Sequence, residues 1–158
     1  MLQAYTDGSV YPNPKGVGGW SFILVDEDGN ETIRTGGVNM TSNNRMELHA
    51  VIEVMSYVKV HGNKGEHLRI FSDSKYVVSG VNYWVESWNY RGVRDKANMD
   101  LWDDIFALKR DVDTQIVWVK GHGECEYNER ADKLANEARK EFEEEELERM
   151  WQKQSKYT

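Results

Sequence analysis

Three short segments at the start of the chain have the residue pattern of β-strands. Leu2–Thr6 alternates, Gly19–Val25 is apolar and aromatic, and Glu31–Val38 follows the turn-forming run Asp26–Asn30. Alternation with a period of two is typical of strands, and clustered Asp, Asn and Gly mark the turns between them. Short turns join antiparallel neighbours. The pattern therefore predicts a three-stranded antiparallel meander.

A helical period replaces the strand period after residue 41. Ser42, Asn43 and Asn44 are good N-cap residues, and Glu47 stands three places after Asn44, as in a capping box. The apolar positions that follow have helical spacing and predict a buried stripe: Leu48, Val51, Ile52, Met55 and Val58. We expect the glycine-containing segment 62–65 to end this helix.

The rest of the chain alternates strands with helices. The predicted elements are a strand at His67–Phe71, a helix beginning at Ser74, a helical region Tyr83–Trp102 with a break around Arg91–Asn98, a strand at Gln115–Lys120 and a last helix from Asn128. Strands separated by helices run parallel to one another. We therefore predict an α/β fold with a five-stranded mixed sheet. Its first three strands are antiparallel, the fourth and fifth run parallel to the first, and helices cover both faces.

The apolar phase of the last helix breaks after Phe142. Leu147, Met150 and Trp151 do not continue the earlier stripe, and Glu143–Glu146 is an acidic run. The helix either extends as a solvated rod or frays beyond this point. We expect residues 1–142 to form one catalytic domain, with residues 143–158 as an acidic helical extension or tail rather than a separate domain.

Composition and charge narrow the class of protein. The chain of 158 residues is long enough for one domain with a core, and no apolar run approaches the roughly 18 residues of a membrane span. Cys125 is the only cysteine, and the segment Met1–Asp7 lacks a signal peptide's basic start and apolar middle. We expect a cytoplasmic protein without membrane contact. Its net charge of −7 has the wrong sign for broad electrostatic capture of nucleic acid.

Four carboxylates are the candidate chemistry. Asp7 is predicted at the end of the first strand, Asp73 at the end of the fourth, Glu47 in the first turn of the first helix, and Asp132 near the start of the last helix. Groups at the carboxyl ends of neighbouring parallel strands converge on one crevice. Four acids in one crevice repel each other unless a cation neutralises them, and oxygen-only ligands suit Mg²⁺ or Mn²⁺. Two such ions roughly 4 Å apart can activate a water for phosphodiester hydrolysis.

Taken singly, each acid also has a plain structural interpretation. Asp7 could belong to a turn, Glu47 to a capping box, Asp73 to the neighbourhood of an N-cap, and Asp132 to a solvated helix face. The interpretation as one site rests on the local blocks in which the four acids stand, in chain order.

These blocks resemble type 1 ribonuclease H. They are Tyr5–Ser9, Asn43–Leu48, Ser72–Val77, and Trp118–His122 followed by Asn128–Asp132. The similarity runs from Leu2 to about Ala138. It implies a monomeric endonuclease that hydrolyses the RNA strand of RNA–DNA hybrids and leaves 5′-phosphate and 3′-hydroxyl ends. It also implies two Mg²⁺ ions with substrate, which Mn²⁺ can replace, held by Asp7, Glu47, Asp73 and Asp132.

His122 lies in a glycine-flanked loop next to the predicted crevice. An imidazole there could move protons near neutral pH. The resemblance implies that His122 assists proton transfer or product release without being indispensable.

The resemblance also implies a set of substrate-binding residues. They are Asn13, Asn43 and Asn44 for the RNA 2′-hydroxyls, Tyr76, Trp84 and Trp88 for the DNA sugars, and Ser42 and Asn98 for a DNA phosphate. Trp84 and Trp88 share a helix face at i and i+4, so packing in the core is the alternative interpretation of this pair. Arg91–Asn98 aligns with the basic handle of many bacterial relatives but is shorter and poorer in lysine. Its cations are expected to face Asp95 and Glu86, which weakens the grip on substrate.

Two other functions remain open at this point. The same fold and carboxylates serve recombination nucleases and integrases that cut DNA, and the Trp-x-x-x-Trp pair with the Asn43–Leu48 block favours ribonuclease H over them. A catalytically idle binding module is the second alternative. Retention of all four mutually repelling acids argues against it.

Overall fold

The computed structural model describes residues 1–12, 15–121 and 125–155 and contains one five-stranded mixed sheet. The strands are β1 (Leu2–Tyr11), β2 (Lys15–Val25), β3 (Glu31–Ser42), β4 (His67–Ser72) and β5 (Asp113–Trp118). Their order across the sheet is β3-β2-β1-β4-β5. The β1–β2 and β2–β3 pairs are antiparallel, whereas β4 pairs parallel to β1 and to β5. The predicted fold and strand directions are confirmed.

Helices follow the strands where the sequence pattern changes. They are α1 (Asn43–His61), α2 (Lys75–Ser79), a π-helical turn (Gly80–Trp84), α3 (Val85–Arg91), α4 (Met99–Asp111) and α5 (Glu126–Ser155). The predicted break lies between α3 and α4, and Gly92 ends α3 with a φ of 70°, a left-handed conformation that glycine adopts without strain.

The two faces of the sheet pack against different helices. On β1, Ala4 and Val10 belong to the larger core that includes the buried residues of α1 and α4, while Tyr5 joins Ile23 and Ala131 on the α5 side. Alternation along the strand thus separates the two cores. A Cβ added to Gly19 would lie 2.3 Å from the carbonyl oxygen of Ala135. Only glycine lets α5 lie this close to the sheet.

Two local sequence predictions are wrong. Asp7 does not end β1, because β1 continues to Tyr11 in antiparallel pairing with β2. The parallel pairing with β4 ends at Tyr5 opposite Phe71, so Asp7 lies where β1 and β4 separate. The predicted capping box of Asn44 and Glu47 is also absent, since the N-cap is Ser42 and its Oγ accepts a hydrogen bond from the backbone N of Arg45 at 3.3 Å. Glu47 therefore lies beyond the capping position.

The last helix continues past the phase break. α5 extends to Ser155, so the helical extension, not fraying, is the observed outcome among the described residues. In the part of the chain that the structure describes, no helix combines the length and apolar character required to cross a membrane.

Candidate active site

Three of the predicted carboxylates come together where β1 and β4 separate. Asp7 on β1, Glu47 on α1 and Asp73 after β4 each offer an oxygen, and these oxygens all lie within 4.8 Å of one another. Asp7 and Glu47 are 3% and 5% exposed. The side chain of Asp132, on α5, lies outside this group of three but interacts with Asp7. The four acids therefore form a triad of two buried members and the half-buried Asp73, with Asp132 beside it.

Gly8 allows α1 to pack close to β1, so that Glu47 lies beside Asp7. A Cβ on Gly8 would lie 2.7 Å from the backbone N of Glu47 and 2.7 Å from the carbonyl carbon of Met46. Both are backbone atoms that cannot move without displacing the start of α1. The close approach of helix and strand thus depends on the missing side chain, and the distance between the Asp7 and Glu47 carboxylates depends on it in turn.

Burial and mutual repulsion oppose ionisation of the triad. Burial raises the pKa of Asp7 from 3.8 to about 8, hydrogen bonding with Glu47 offsets part of this rise, and the charge of Asp73 and a hydrogen bond with Asp132 add to it. Burial also holds the pKa of Glu47 well above its usual range, and Asp7 and Asp73 raise it further. Its Oε2 has no hydrogen-bond donor among the described residues. The triad is therefore destabilised as a set of anions unless positive charge is present.

A polar cleft opens beside the triad. It has a volume of about 280 Å³ and is lined by Asp73, Asn128, Glu129 and Asp132. Asn128 is buried, and its Oδ1 has no donor within the described part of the chain. We did not predict Asn128 as a site residue. The sequence feature that could have identified it is its place in the Asn128–Asp132 block. It stands four positions before Asp132 and hence on the same helix face.

The backbone of Asp73 is held from β5. The Trp118 indole Nε1 donates to the Asp73 carbonyl oxygen at 3.2 Å, and the Lys75 Nζ lies 5.0 Å from the Trp118 ring centre. Gly121 packs beside the carboxylate, because a Cβ at this position would lie 3.1 Å from Asp73 Oδ2. Trp118, which the sequence prediction assigned no role, is thus a positioning residue.

An aromatic surface is formed by Tyr76 on α2, Trp84 in the π-helical turn and Trp88 on α3. The rings of Trp84 and Trp88 are 5.7 Å apart and those of Tyr76 and Trp84 are 5.8 Å apart, so the expected shared helix face is present. Trp84 is 37% exposed, and Trp88 is partly buried against the fully buried Trp102. Each interpretation of the tryptophan pair therefore applies to one residue. Trp84 is available to a ligand, whereas Trp88 packs on the core.

One hydrogen-bonded network joins this surface to the start of α1. Asn98 Oδ1 accepts from Arg45 Nη1 at 3.3 Å, and Arg45 also forms a two-bond ion pair with Asp100 at 3.0 and 2.8 Å. Ser42 Oγ accepts from the Arg45 backbone. Ser42 and Asn98, predicted to share a pocket, are thus linked through Arg45. Arg45 was not a predicted site residue, although it stands within the Asn43–Leu48 block.

Comparison with known proteins identifies the family. The family model described as RNase H matches residues 1–140. The chain belongs to the ribonuclease H family. It is 41% identical over 143 residues to Ribonuclease H of Zymomonas mobilis, covering 87% of this chain and 88% of that one. It is 37% identical over 134 residues to Ribonuclease HI of Helicobacter pylori, covering 85% of this chain and 90% of the relative.

Solved structures agree with this assignment. LC9-RNase H1, a type 1 RNase H with the type 2 active-site motif, matches with a TM-score of 0.77 at 28% identity, over 87% of this chain and 71% of that one. LC11-RNase H1, solved in complex with an RNA/DNA hybrid, matches with a TM-score of 0.71 at 24% identity, over 89% and 98%. The second likeness shows the common fold. The predicted type 1 ribonuclease H is confirmed, and the protein is an enzyme of that class.

One of the three cations in the handle of this ribonuclease H, Arg94, is held in an ion pair. Arg94 is bound by both oxygens of Asp103 at 2.8 and 2.7 Å, and Glu86 pairs with Lys109 at 2.7 Å. The expected facing of Arg94 toward Asp95 and Glu86 is therefore wrong for this arginine, because Asp103 on α4 is within reach. Glu129 lines the cleft, and its neighbour Arg130 binds Glu31 at 2.7 Å.

The remaining predicted residues of this ribonuclease H fall into two groups. Asn43 and Asn44 lie exposed in the first turn of α1, four and three residues before Glu47. Asn13 and His122 lie outside the described residues, and their predicted roles stay predictions.

Proposed function

We propose that this ribonuclease H hydrolyses the RNA strand of RNA–DNA hybrids at the carboxylate triad. The observation that carries the proposal is the convergence of Asp7, Glu47 and Asp73 within 4.8 Å, with Tyr76 of the aromatic surface three residues after Asp73 in the chain. The products expected from this chemistry are 5′-phosphate and 3′-hydroxyl ends. The same reaction class is named for the bacterial relatives that share about 40% of the sequence.

The donor set fits divalent metal ions. All candidate ligands are carboxylate oxygens, which suit Mg²⁺ or Mn²⁺. The buried Glu47 Oε2 has no donor among the described residues, and the raised pKa of Asp7 reflects burial and repulsion that a cation relieves. We propose that Asp7, Glu47, Asp73 and Asp132 hold two Mg²⁺ ions when substrate binds, and that Mn²⁺ can replace them. Bound ions of this kind supply an activated water and a counter-charge for the leaving oxygen.

The chain's own residues bind and orient the hybrid. We assign the exposed amides of Asn43 and Asn44, and that of Asn13, to the 2′-hydroxyls that distinguish RNA from DNA in the minor groove. The rings of Tyr76 and Trp84, which meet edge to face, offer an apolar surface for the deoxyribose of the other strand, and Trp88 packs against Trp84.

Two further contacts complete the proposal. Ser42 and Asn98 receive a DNA phosphate beside Arg45. His122 moves a proton during hydrolysis or helps the product leave, as a group that titrates near neutral pH can. The structure of LC11-RNase H1 with an RNA/DNA hybrid supports this substrate class for the fold.

A cleavage assay on three labelled duplexes tests the function. Wild-type protein is given the RNA–DNA hybrid, duplex DNA and duplex RNA, each with Mg²⁺ and with EDTA, beside the Asp7→Asn variant as the matched control. We expect the wild-type protein to cleave only the RNA strand of the hybrid, and only when Mg²⁺ is present. The Asp7→Asn variant should cleave none of the three duplexes. The product ends are checked with a ligation reaction that requires a 5′-phosphate, which the cleaved RNA should support. Equal cleavage of duplex DNA would favour a recombination-type nuclease, and no cleavage at all would favour a binding module.

A further inference from the structure

The C-terminal half of α5 carries an exposed apolar stripe that the proposed reaction does not use. Leu147, Met150 and Trp151 are 60%, 65% and 71% exposed. Their spacing of three and four residues places them on one helix face. The RNase H family model ends at residue 140. The stripe therefore lies beyond the region that the family shares and requires an explanation of its own.

The stripe points away from the sheet. α5 packs on the sheet through buried alanines such as Ala138 and then through Phe142, which lies against Gly37 of β3. Continuing from Phe142 by four and seven residues along the same helix face leads to Glu146 and Arg149, which pair with each other at 3.1 Å. The apolar stripe is out of phase with this face. Its exposed fractions show that no described residue covers it.

Charge is divided along the length of the stripe. Its N-terminal end is surrounded by acids, Arg149 lies at its middle, and its C-terminal end is surrounded by Lys153 and neutral side chains. The acids are Glu143, Glu144, Glu145, Glu146 and Glu148, and the neutral residues are Gln154 and Ser155. A second copy lying parallel would place the acidic ends side by side, which is unfavourable. A second copy lying antiparallel places each acidic end beside the other copy's Lys153. The stripe is therefore complementary to itself in one orientation only.

We propose that two copies of this chain associate through this stripe as an antiparallel helix pair related by a twofold axis. A twofold contact is self-complementary, so each copy buries the same three apolar side chains. With the axis beside Arg149, Leu147 of one copy meets Trp151 of the other, and Glu146 lies near Lys153 of the other. Three apolar side chains per copy are few compared with a standard protein–protein interface. The dimer is therefore weak and reversible, in contrast to the monomer expected from the family resemblance.

The contact leaves the active site free. Leu147 stands fifteen residues beyond Asp132 on the same helix, which at 1.5 Å per residue is roughly 22 Å. Association therefore does not alter hydrolysis by each subunit. The proposal can fail while the proposed function stands, and the reverse is also true.

Analytical ultracentrifugation over a wide concentration range tests the association. We expect the weight-average mass of the wild-type protein to rise from the monomer toward the dimer as concentration increases. Leu147→Glu with Trp151→Glu should keep the protein monomeric throughout. Val60→Glu is the matched control, because Val60 is 74% exposed on α1, and it should behave as wild type. Far-UV circular dichroism checks that the helix content is retained in both variants.

A charge exchange tests the antiparallel orientation. One variant carries Glu143→Lys, Glu144→Lys and Glu146→Lys, and the other carries Lys153→Glu and Gln154→Glu. Each variant alone brings like charges together and should dissociate at least tenfold more readily than wild type, whereas an equal mixture should recover association. A wild-type protein that stays monomeric at every concentration would overturn the proposal. Failure of the mixture to associate would overturn it as well.

Discussion

Asn98 Nδ2 donates a hydrogen bond to the Tyr76 hydroxyl at 3.1 Å. The same hydroxyl also accepts from the Trp102 indole Nε1 at 3.1 Å. Asn98 adopts a left-handed conformation with a φ of 64° at the start of α4, and its Oδ1 accepts from Arg45. This one side chain therefore fixes the proposed phosphate pocket relative to the aromatic surface.

Replacing Asn98 should weaken hybrid binding without slowing chemistry. We expect Asn98→Ala to raise KM by up to about tenfold, as loss of one to two hydrogen bonds predicts, with kcat nearly unchanged. Alanine also costs about 1 kcal/mol of stability in a left-handed conformation. Asn98→Gly is the control, because it removes the side chain without that backbone cost. Steady-state kinetics on a labelled hybrid measure both constants, and a fall in kcat for both variants would contradict the binding role.

Asp7 should make the metal-free protein less stable as pH rises. Burial raises its folded pKa to about 8 from an ordinary 3.8, so the folded state binds this proton more tightly than the unfolded state does. The resulting stability is complete below about pH 4 and is lost as pH rises through about 8. For one proton, the free energy of unfolding falls by at most about 1.4 kcal/mol per pH unit in that window.

Urea unfolding in EDTA between pH 5 and pH 8 measures this slope. We expect the decline to be shallower in Asp7→Asn, which has no charge to develop at this position and relieves repulsion within the triad. The variant should also be at least as stable as wild type at pH 8 without metal. Added Mg²⁺ should restore stability to the wild-type protein and less to the variant. Identical slopes for the two proteins in EDTA would mean that Asp7 does not titrate as its surroundings require.

The strand order and the triad could be predicted because local patterns encode them. Alternation and helical spacing separate strands from helices, and crossover connections then limit the sheet to few arrangements. Asp7, Glu47 and Asp73 follow from where their blocks fall in that sheet. The sequence pattern could not show that β1 continues past Asp7 to Tyr11, because the pairing of residues 8–11 with residues 17–20 of β2 decides it.

The partners in the ion pairs could not be predicted from the sequence either. Arg45 binds Asp100, Arg94 binds Asp103 and Arg130 binds Glu31, whereas the sequence suggested Asp95 and Glu86 as partners for Arg94. The three pairs join residues that are 55, 9 and 99 positions apart in the chain. The choice of partner depends on how α4 and α5 pack rather than on spacing along the chain.

Gly8→Ala should separate the triad carboxylates. The added Cβ would meet backbone atoms of Met46 and Glu47 at 2.7 Å, so α1 must shift and carry Glu47 away from Asp7. We expect a loss of stability of about 1–3 kcal/mol, as for other overpacked sites, and at least tenfold weaker Mg²⁺ binding by isothermal titration calorimetry. Gly29→Ala is the control, because a Cβ there has open space although its φ of 83° is strained. It should lose stability and keep its metal affinity.

Asn128 should matter for the reaction and not for the fold. Its buried Oδ1 has no donor among the described residues and lines the cleft with Asp73 and Asp132. Removing it therefore breaks no described hydrogen bond of that oxygen. We expect Asn128→Ala to lower kcat/KM for the hybrid about tenfold, which is the lower end of the range for residues that support a metal site. The stability of the fold should change little, because the substitution leaves no new buried polar group without a partner. Thermal unfolding run beside the kinetics separates the two roles: large destabilisation with normal activity would show that Asn128 is structural.

Asp95 lies in the handle, where added positive charge should strengthen the grip on the hybrid. Arg94 is already bound to Asp103, so the handle offers fewer cations to a phosphate than its sequence suggests. Each phosphate contact releases counterions, which makes log affinity fall more steeply with log salt. We expect Asp95→Lys to tighten hybrid binding and to steepen that slope by up to roughly one unit.

Binding of Asp95→Lys is measured with Ca²⁺ in place of Mg²⁺, because the looser coordination of Ca²⁺ should fill the site without supporting hydrolysis. Asp28→Lys is the matched control. It makes the same change in net charge in the exposed turn between β2 and β3, away from the triad, so a general effect of charge would appear in both variants. Single-turnover cleavage should be unchanged in Asp95→Lys, since the handle does not contact the carboxylates. An affinity and salt slope equal to those of the control would show that residues 91–98 do not touch the hybrid, and the aromatic surface and the 2′-hydroxyl contacts would then hold the substrate alone.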